Sequence, residues 1–204
     1  MNNLEENSKK EFDTWAKTYD SFFNHLYFSH TNKEIVSLLN LNKNAAILDV
    51  GSGTGILIEN LITKKDLKIY GLDLSSEMVK ISKEKFKKNK NVSIKLGSAV
   101  KMPFKDNFFD YVTCSNSFHH HPNSLQSLKE MYRVLKPGGK IILLDAFKDG
   151  ILRQFYCKSV SVIEGKIFHY LKSEMKNLFR KVGFINISQQ YSGLFHLISI
   201  GEKN

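Results

Sequence analysis

Cysteine, proline, tryptophan and long apolar runs are all scarce in this chain of 204 residues. Its two cysteines, Cys114 and Cys157, are too few for a disulfide framework or for a cysteine-rich metal cluster. No apolar run approaches the roughly 20 residues that a membrane-spanning helix needs. Met1–Lys10 is polar and lacks the apolar core of a secretory signal. These absences predict a cytoplasmic protein without a membrane span, folded as a single domain over residues 1–204.

Positive charge is in excess, because 30 Lys+Arg stand against 20 Asp+Glu and leave a net charge of +10. The excess is mostly lysine, and its densest run is Lys80–Lys90. A nucleic-acid surface more often combines clustered arginines with exposed aromatic side chains. The arginines here are Arg133, Arg153 and Arg180, far apart in the chain. The run Lys80–Lys90 is therefore expected to form a solvated face of a helix, and a nucleic-acid partner is not excluded.

A glycine-rich turn over Ile47–Gly55 organises the chain. An apolar run ends in Asp49, glycines follow at positions 51, 53 and 55, and a further apolar stretch begins at Ile56. This order predicts a strand, a tight turn and a helix, in which glycine lets a ligand lie against backbone and the helix start offers N–H groups. The dinucleotide pattern G-x-G-x-x-G requires glycine at position 56, so Ile56 argues against an NAD enzyme. Asp73 closes the next predicted strand, where a carboxylate can bind ribose hydroxyls.

Four ordered motifs together carry a family resemblance. They are Ile47–Gly55 with Tyr70–Ser75, Gly97–Ala99 with Met102–Phe104, Phe108–Val112, and Leu128–Gly139. At these motifs the chain resembles the class I S-adenosylmethionine-dependent methyltransferases, and most of all the branch of quinone-biosynthesis and other small-molecule enzymes. The resemblance extends from about Phe12 to the C-terminus.

The strand and helix patterns, with this resemblance, predict an α/β fold. The expected architecture is a Rossmann-like, mostly parallel seven-stranded sheet with helices on both faces and a C-terminal antiparallel hairpin. Residues 1–40 are expected to form a helical lid and residues 45–204 the cofactor-binding core. The expected strands are Ala45–Val50, Leu67–Asp73, Val92–Leu96, Phe109–Cys114, Lys140–Ala146, Phe184–Tyr191 and Leu194–Ile200. Lys148–Phe168 carries no decodable pattern.

The resemblance implies a site for S-adenosyl-L-methionine and its product S-adenosyl-L-homocysteine. The implied cofactor-binding residues are Tyr19, Asp49, Gly51, Ser52, Gly53, Gly55, Asp73, Leu74, Met78, Ser98, Ala99, Val100, Ser115 and Asn116. Ser98 departs from the family, which usually has an acid there that binds the adenine amino group. Replacing a charge-assisted hydrogen bond by a neutral one costs on the order of 1 kcal/mol, so binding is weakened but retained.

The N-terminal segment Phe12–Phe28 has one strongly aromatic helical face. Packing on the core is the simpler interpretation of this face. The resemblance favours a lid over the methionine end of the cofactor, with Tyr19 bound to its carboxylate. Trp15 is then expected in the wall of the substrate pocket, near the sulfonium.

Three adjacent histidines, His119, His120 and His121, follow the fourth predicted strand. Neighbours in an extended segment point to different sides, so we expect no metal there. His119 is the candidate catalytic base, with a neutral-range pKa suited to that role. His120 is expected in the substrate pocket, as is Asp145 at the end of the fifth strand. Capping or packing roles are the alternative for the histidines, and loop capping is the alternative for Asp145.

The predicted reaction is methyl transfer to a small-molecule acceptor by in-line displacement. Alignment of the nucleophile can supply much of the rate without a strong acid or base. No D/N-P-P-Y/F element follows Asn116, which disfavours adenine or glutamine N-methylation. Two alternatives stay open: an RNA-modifying methyltransferase and a non-catalytic protein that binds S-adenosylmethionine or S-adenosylhomocysteine. Neither the acceptor nor the oligomeric state can be deduced from the sequence.

Overall fold

The structure, a computed structural model, describes residues 3–19, 31–64, 66–163 and 167–204. Its strands are β1 (Ala46–Val50), β2 (Lys68–Asp73), β3 (Val92–Leu96), β4 (Phe109–Ser115), β5 (Leu135–Ala146), β6 (Phe184–Ser192) and β7 (His196–Lys203). Its helices are α1 (Asn3–Tyr19), α2 (described over residues 31–38), α3 (Ile56–Leu61), α4 (Ser76–Lys85), α5 (Ser124–Val134), α6 (Ile151–Ile163) and α7 (Lys172–Val182). A short 3-10 turn covers Phe118–His120.

The strands form a single sheet in the order β3-β2-β1-β4-β5-β7-β6. Strands β1 to β5 run parallel, whereas β7 lies antiparallel between β5 and β6. The predicted mostly parallel seven-stranded sheet with a C-terminal antiparallel hairpin is confirmed. The strand order reverses between β1 and β4, and open α/β sheets bind ligands beyond the carboxyl ends of the strands at that point.

Two apolar clusters pack against the sheet, and they involve different helices. One joins the sheet to α5 and α7 through residues such as Leu128, Met131 and Phe179. The other joins it to α2, α3 and α4 through residues such as Ile35, Ile58 and Val79. Strand β1 is buried along its whole length, as the central position predicts. None of the described helices is long and apolar enough to cross a membrane.

Strand β5, helix α6 and strand β7 differ most from the predicted elements, and β7 covers His196–Lys203 where Leu194–Ile200 was expected. Strand β5 begins at Leu135, five residues before the predicted Lys140, because Leu135 already pairs with Phe109 of β4. Helix α6 lies in the segment for which no element was predicted. Its apolar residues do not form one inward stripe, since Ile151, Phe155 and Val162 are 75%, 66% and 81% exposed. A helix with apolar residues on its outer face gives no clear amphipathic signal.

Candidate functional site

A pocket of about 710 Å³, counting its open mouth, lies beyond the carboxyl ends of β1, β2 and β4. Most of its lining surface is apolar, and the polar groups in it come from loops that follow the strands. The predicted site residues that line this pocket are Gly51, Gly53, Asp73, Leu74, Met78, Ser98, Ala99, Val100, Asn116 and His120. The tertiary structure therefore brings together three of the segments that carry the family resemblance, namely Ile47–Gly55, Tyr70–Ser75 and Gly97–Ala99.

Glycine is required at two positions of the turn after β1, for different reasons. Gly51 has φ +70°, and a Cβ there would lie 1.8 Å from Ser117 Oγ in the loop after β4. Gly55 has φ +91°, and its Cβ would lie 2.4 Å from the ring of Phe86. Gly51 therefore lets the loop after β4 close on the pocket. Gly55, a predicted cofactor residue, lets the turn pack against Phe86.

Asp73 at the end of β2 combines two backbone contacts with a place in the pocket wall. Its Oδ2 accepts the Gly53 N–H at 2.7 Å and its Oδ1 accepts the Ser75 N–H at 2.8 Å. Burial raises the pKa of Asp73, and these two bonds oppose the rise. Each carboxylate oxygen can accept more than one hydrogen bond. The group is thus suited to receive two vicinal hydroxyls, as in a ribose.

A second pocket of about 340 Å³ adjoins the first and shares Gly51, Gly53 and Asn116 with it. Three further predicted cofactor residues line only this second pocket, namely Asp49, Ser52 and Ser115. Ser115 Oγ donates to Asn32 Oδ1 at 2.6 Å. Asn32 is a pocket residue that sequence reasoning missed, because a single asparagine in α2 carries no motif.

Asp49 is the buried acid of the second pocket. Thr113 Oγ1 donates to Asp49 Oδ1 at 3.1 Å. Burial raises the pKa of Asp49 to about 7, although the Thr113 bond acts to lower it. A cationic group in this pocket would favour the ionised carboxylate. Asp49 therefore suits the positively charged end of a ligand.

Helix α1 lies across the main pocket and is attached to α4. Ser8 and Phe12 of α1 line the pocket. Asp13 Oδ1 accepts the Ser75 hydroxyl at 2.5 Å and the Glu77 N–H at 3.2 Å. Ser75 in turn caps α4 by accepting the Met78 N–H at 3.1 Å. Asp13 therefore attaches the covering helix to the start of α4.

The structure leaves the predicted roles of Trp15 and Tyr19 untested. The Trp15 ring packs edge-on against Phe12, with centroids 5.7 Å apart, and Trp15 does not line the described pockets. The Tyr19 side chain and the rest of the predicted lid through Phe28 lie outside the described residues. Their roles at the cofactor stay predictions.

The 3-10 turn after β4 is held by Asp145. Its Oδ1 lies 2.6 Å from His119 Nδ1, and its Oδ2 accepts the His119 N–H at 2.8 Å. Both side chains are buried, and neither lines the described pockets. Although burial acts to raise it, the charge of His119 holds the pKa of Asp145 below its usual value. His120 lies in front of His119, with ring centroids 4.2 Å apart, and forms the pocket wall.

No group of three or more His, Cys, Asp or Glu side chains in the described part of the chain is arranged to hold a metal ion. The three adjacent histidines instead have different contacts. The His120 ring packs edge-on against the Phe12 ring, with centroids 4.7 Å apart, whereas His121 is a further residue of the pocket wall. The structure thus separates three neighbours in sequence into three different environments.

The lining of the two pockets combines apolar surface with buried polar groups. Among the described residues, Ser52 Oγ, His121 Nδ1 and Ser127 Oγ are buried at the pocket walls without a hydrogen-bond partner. Apolar lining for a base, Asp73 for hydroxyls and Asp49 for a cationic end fit a nucleoside with an amino-acid tail. These residues therefore fit S-adenosylmethionine.

Comparisons with known proteins agree with this fit. Residues 48–143 match the family described as "Methyltransferase domain". A demethylmenaquinone methyltransferase of Staphylococcus epidermidis is 32% identical over 207 residues, which cover 94% of this chain and 86% of the relative. A SAM-dependent methyltransferase structure from Aquifex aeolicus has a TM-score of 0.74 at 22% identity, covering 93% of this chain and 97% of that one. Phosphoethanolamine N-methyltransferase 2 of Haemonchus contortus, solved with S-adenosyl-L-methionine, has a TM-score of 0.76 at 18% identity, covering 94% and 59%.

Proposed function

The chain belongs to the class I S-adenosylmethionine-dependent methyltransferases, in the quinone-biosynthesis-like branch, and we propose that its acceptor is a demethylated quinone in its reduced form. The observation that carries this proposal is the identity of 32% to a demethylmenaquinone methyltransferase over 94% of the chain. The apolar pocket with a histidine in its wall supports it. The reduced form is specified because an oxidised quinone ring is electron-poor and is not a nucleophile.

The cofactor is held by residues at the carboxyl ends of the strands. When bound, S-adenosylmethionine supplies a methyl group on a sulfonium, which is an activated donor. Asp73 binds the ribose hydroxyls and Asp49 faces the cationic end, each from its own pocket. Phe12 covers the pocket and excludes water, so that the acceptor can be aligned in line with the methyl group.

His120 is the histidine that the geometry favours for contact with the acceptor. It lines the pocket beside Phe12, whereas His119 lies behind it. We place a hydroxyl of the acceptor against His120, which takes the hydroxyl proton as the ring carbon attacks the methyl group. The methyl–sulfur bond breaks and leaves S-adenosylhomocysteine. The ring carbon then loses its own proton to solvent, and the ring oxygen takes its proton back from His120. Asp145 is a positioning residue, because it binds both the ring and the backbone of His119 and so holds the turn. Direct base catalysis by His119 stays a prediction.

Two further parts of the proposal concern the whole chain. Residues 1–40 act as a lid on a core of residues 45–204, within a single domain. The attachment of α1 to α4 through Asp13 supports this arrangement. The protein acts in the cytoplasm on a small molecule.

The experiment is methyl transfer from labelled S-adenosylmethionine to a demethylated naphthoquinone that has been chemically reduced. Label is expected in the reduced compound and absent when the same compound is kept oxidised. His120→Ala is expected to lower kcat about 100-fold, the lower end for acid–base catalysis. Asp145→Asn is expected to lower kcat while S-adenosylhomocysteine affinity stays unchanged, because Asp145 does not line the described pockets.

Other results would contradict the proposal at separate points. Equal labelling of oxidised and reduced compound would remove the requirement for a reduced ring. No labelling of either form, from protein that binds S-adenosylhomocysteine, would reject the quinone acceptor. Full activity of His120→Ala would show that His120 is not the proton acceptor.

A further inference from the structure

Helix α6 presents an apolar stripe to solvent. Ile151, Phe155 and Val162 are spaced by four and seven residues, so they lie on one face of the helix, and Leu152 adjoins them. All four side chains are exposed, whereas Cys157 on the opposite side is buried. A surface helix ordinarily turns its apolar stripe to the core, so an outward stripe needs an explanation.

The turn between β6 and β7 lies beside α6 and adds a further apolar side chain. Arg153 Nε donates to the Leu194 carbonyl at 2.8 Å, and the rings of Tyr156 and Phe195 stack with centroids 4.3 Å apart. Leu194 itself is 54% exposed. Exposed apolar surface of this kind marks a contact with a protein or a membrane. We refer to it as the outer apolar patch, formed by Ile151, Leu152, Phe155, Val162 and Leu194.

The charge around the outer apolar patch is mainly positive. Residues 151–163 contain Arg153 and Lys158 but no acid, and the charges of Glu164 and Lys166, which follow, offset each other. Lys158 is exposed and lies seven residues after Ile151, so it borders the stripe. The whole chain has a net charge of +10. An apolar stripe bordered by lysine is complementary to an anionic lipid surface, whereas a second copy of the chain would bring like charges together.

The outer apolar patch lies at the same edge of the sheet as the main pocket. Helix α6 follows the carboxyl end of β5. The turn of Leu194 follows the carboxyl end of β6, which runs parallel to β5 because both are antiparallel to β7. The main pocket lies beyond the carboxyl ends of β1, β2 and β4. A surface that contacts the patch is therefore on the pocket side of the molecule.

We propose that the outer apolar patch docks the protein on an anionic phospholipid surface. Its apolar side chains enter the boundary between headgroups and acyl chains, and Lys158 contacts the lipid phosphates. The contact is peripheral, since none of the described helices is long and apolar enough to cross a membrane. The inference rests on the proposed function in one respect: an apolar quinone partitions into lipid, so docking brings the pocket to the phase that holds the acceptor.

The test is co-sedimentation with vesicles of phosphatidylcholine alone and of phosphatidylcholine mixed with phosphatidylglycerol. The wild type is expected to bind the mixed vesicles, and to bind them less at high salt. Phe155→Ser should weaken this binding about ten-fold, because a large apolar side chain no longer enters the lipid. Lys158→Gln should weaken it about five-fold, the effect of one cation near an anionic surface.

Ile185→Ser and Lys88→Gln are matched controls at the other edge of the sheet. Ile185 is exposed at the amino end of β6, and Lys88 is exposed shortly before the amino end of β3. Neither substitution should change vesicle binding, whereas Ile151→Ser, the counterpart of Ile185→Ser, should weaken it. All the substituted side chains are exposed, so the unfolding midpoints, measured alongside, should stay near that of the wild type.

An activity measurement separates docking from chemistry. With a lipid-soluble reduced acceptor embedded in the mixed vesicles, Phe155→Ser should lower the rate of methyl transfer about ten-fold, in proportion to the lost binding. With a water-soluble reduced analogue, the variant and the wild type should have equal rates, because Phe155 does not line the described pockets.

Three results would overturn the inference. They are a wild type that does not bind the mixed vesicles, control variants that weaken binding as much as the patch variants do, and a dimer without vesicle binding that Phe155→Ser converts to monomers. The last of these would assign the patch to a second copy of the chain. Methyl transfer to the water-soluble acceptor would leave the proposed function intact in each case. Vesicle binding without transfer to either acceptor would instead reject the quinone acceptor and support the docking surface.

Discussion

Asp49 shows how a single residue can relate binding to stability. It lies in β1, which is buried along its whole length, and the residue is 2% exposed. The cost of ionising it in that environment raises its pKa to about 7, well above the usual value of an aspartate. A bound cation would recover part of that cost. The same residue is therefore unfavourable in the ligand-free protein and favourable for the ligand.

Asp49→Asn is expected to change the pH dependence of stability. Between about pH 4 and pH 7 the folded protein holds a proton on Asp49 that the unfolded chain has lost. Stability therefore falls as pH rises through this range and levels off above it. The variant lacks this contribution, so it should be more stable than wild type at pH 8, on the order of a few kcal/mol, and similar at pH 4. Urea unfolding at both pH values measures the difference, and parallel pH profiles would contradict the raised pKa.

Individual residues differ in how far the sequence could assign them. Asp73 and Gly51 follow from strand ends and a glycine turn, and both line the pocket. The choice between His119 and His120 does not follow, because adjacent residues of a 3-10 turn point in different directions.

Among the elements, α1 has the most direct link to binding. It lines the pocket with Phe12 and is attached to α4 by Asp13. Burial acts to raise the pKa of Asp13, but the bonds from Lys9 and Ser75 hold it below its usual value. The ionised carboxylate therefore persists at neutral pH and keeps α1 in place over the pocket.

Asp13→Asn is expected to speed the release of S-adenosylhomocysteine about five-fold. The substitution removes the charge of the group that accepts the hydrogen bonds from Ser75 and Glu77, so these bonds weaken and α1 opens more often. Stopped-flow displacement measures the dissociation rate. Glu6→Gln is the matched control, since it makes the same charge change at an exposed position of α1. Equal dissociation rates in the two variants would show that Asp13 does not hold the lid.

Helix α6 shows the limit of periodicity at the level of elements. Cys157 on its inner face is buried, and the Cys157 thiol approaches the Phe147 carbonyl at 3.6 Å. The outer face also carries apolar side chains, with Phe155 66% exposed. Because apolar residues occur on both faces, the sequence pattern does not show which face is buried.

At the scale of the whole molecule, ligand binding should be visible as a shift in unfolding. S-adenosylhomocysteine at about 100-fold its dissociation constant stabilises the folded state by roughly 2.7 kcal/mol. For a chain of this length the unfolding midpoint should rise by several degrees. NAD at the same concentration is the control and should cause no shift, because Ile56 interrupts the dinucleotide pattern. A shift with NAD alone would mean that the glycine turn binds a different cofactor.

The net charge of +10 also belongs to the whole molecule. It motivated the alternative of an RNA-modifying enzyme, and neither the relatives nor the site geometry favours that alternative. Part of the lysine excess is used internally, since Lys203 Nζ donates to the Leu135 carbonyl at 2.8 Å and Lys85 pairs with Glu59 at 2.9 Å. A high charge affects solubility and association more than it affects the fold.

The sequence by itself determined the fold class, the order of the strands along the chain, the cofactor and the family. Those features depend on local patterns, because strand ends, glycine turns and apolar runs are properties of neighbouring residues. Only the tertiary structure decided which histidine faces the pocket, that Asp145 supports His119, that Asp13 attaches α1 to α4, and that the apolar stripe of α6 faces outward. These features depend on how the elements pack against one another. Packing brings some distant residues together and gives adjacent residues different surroundings, and no local sequence pattern contains that information.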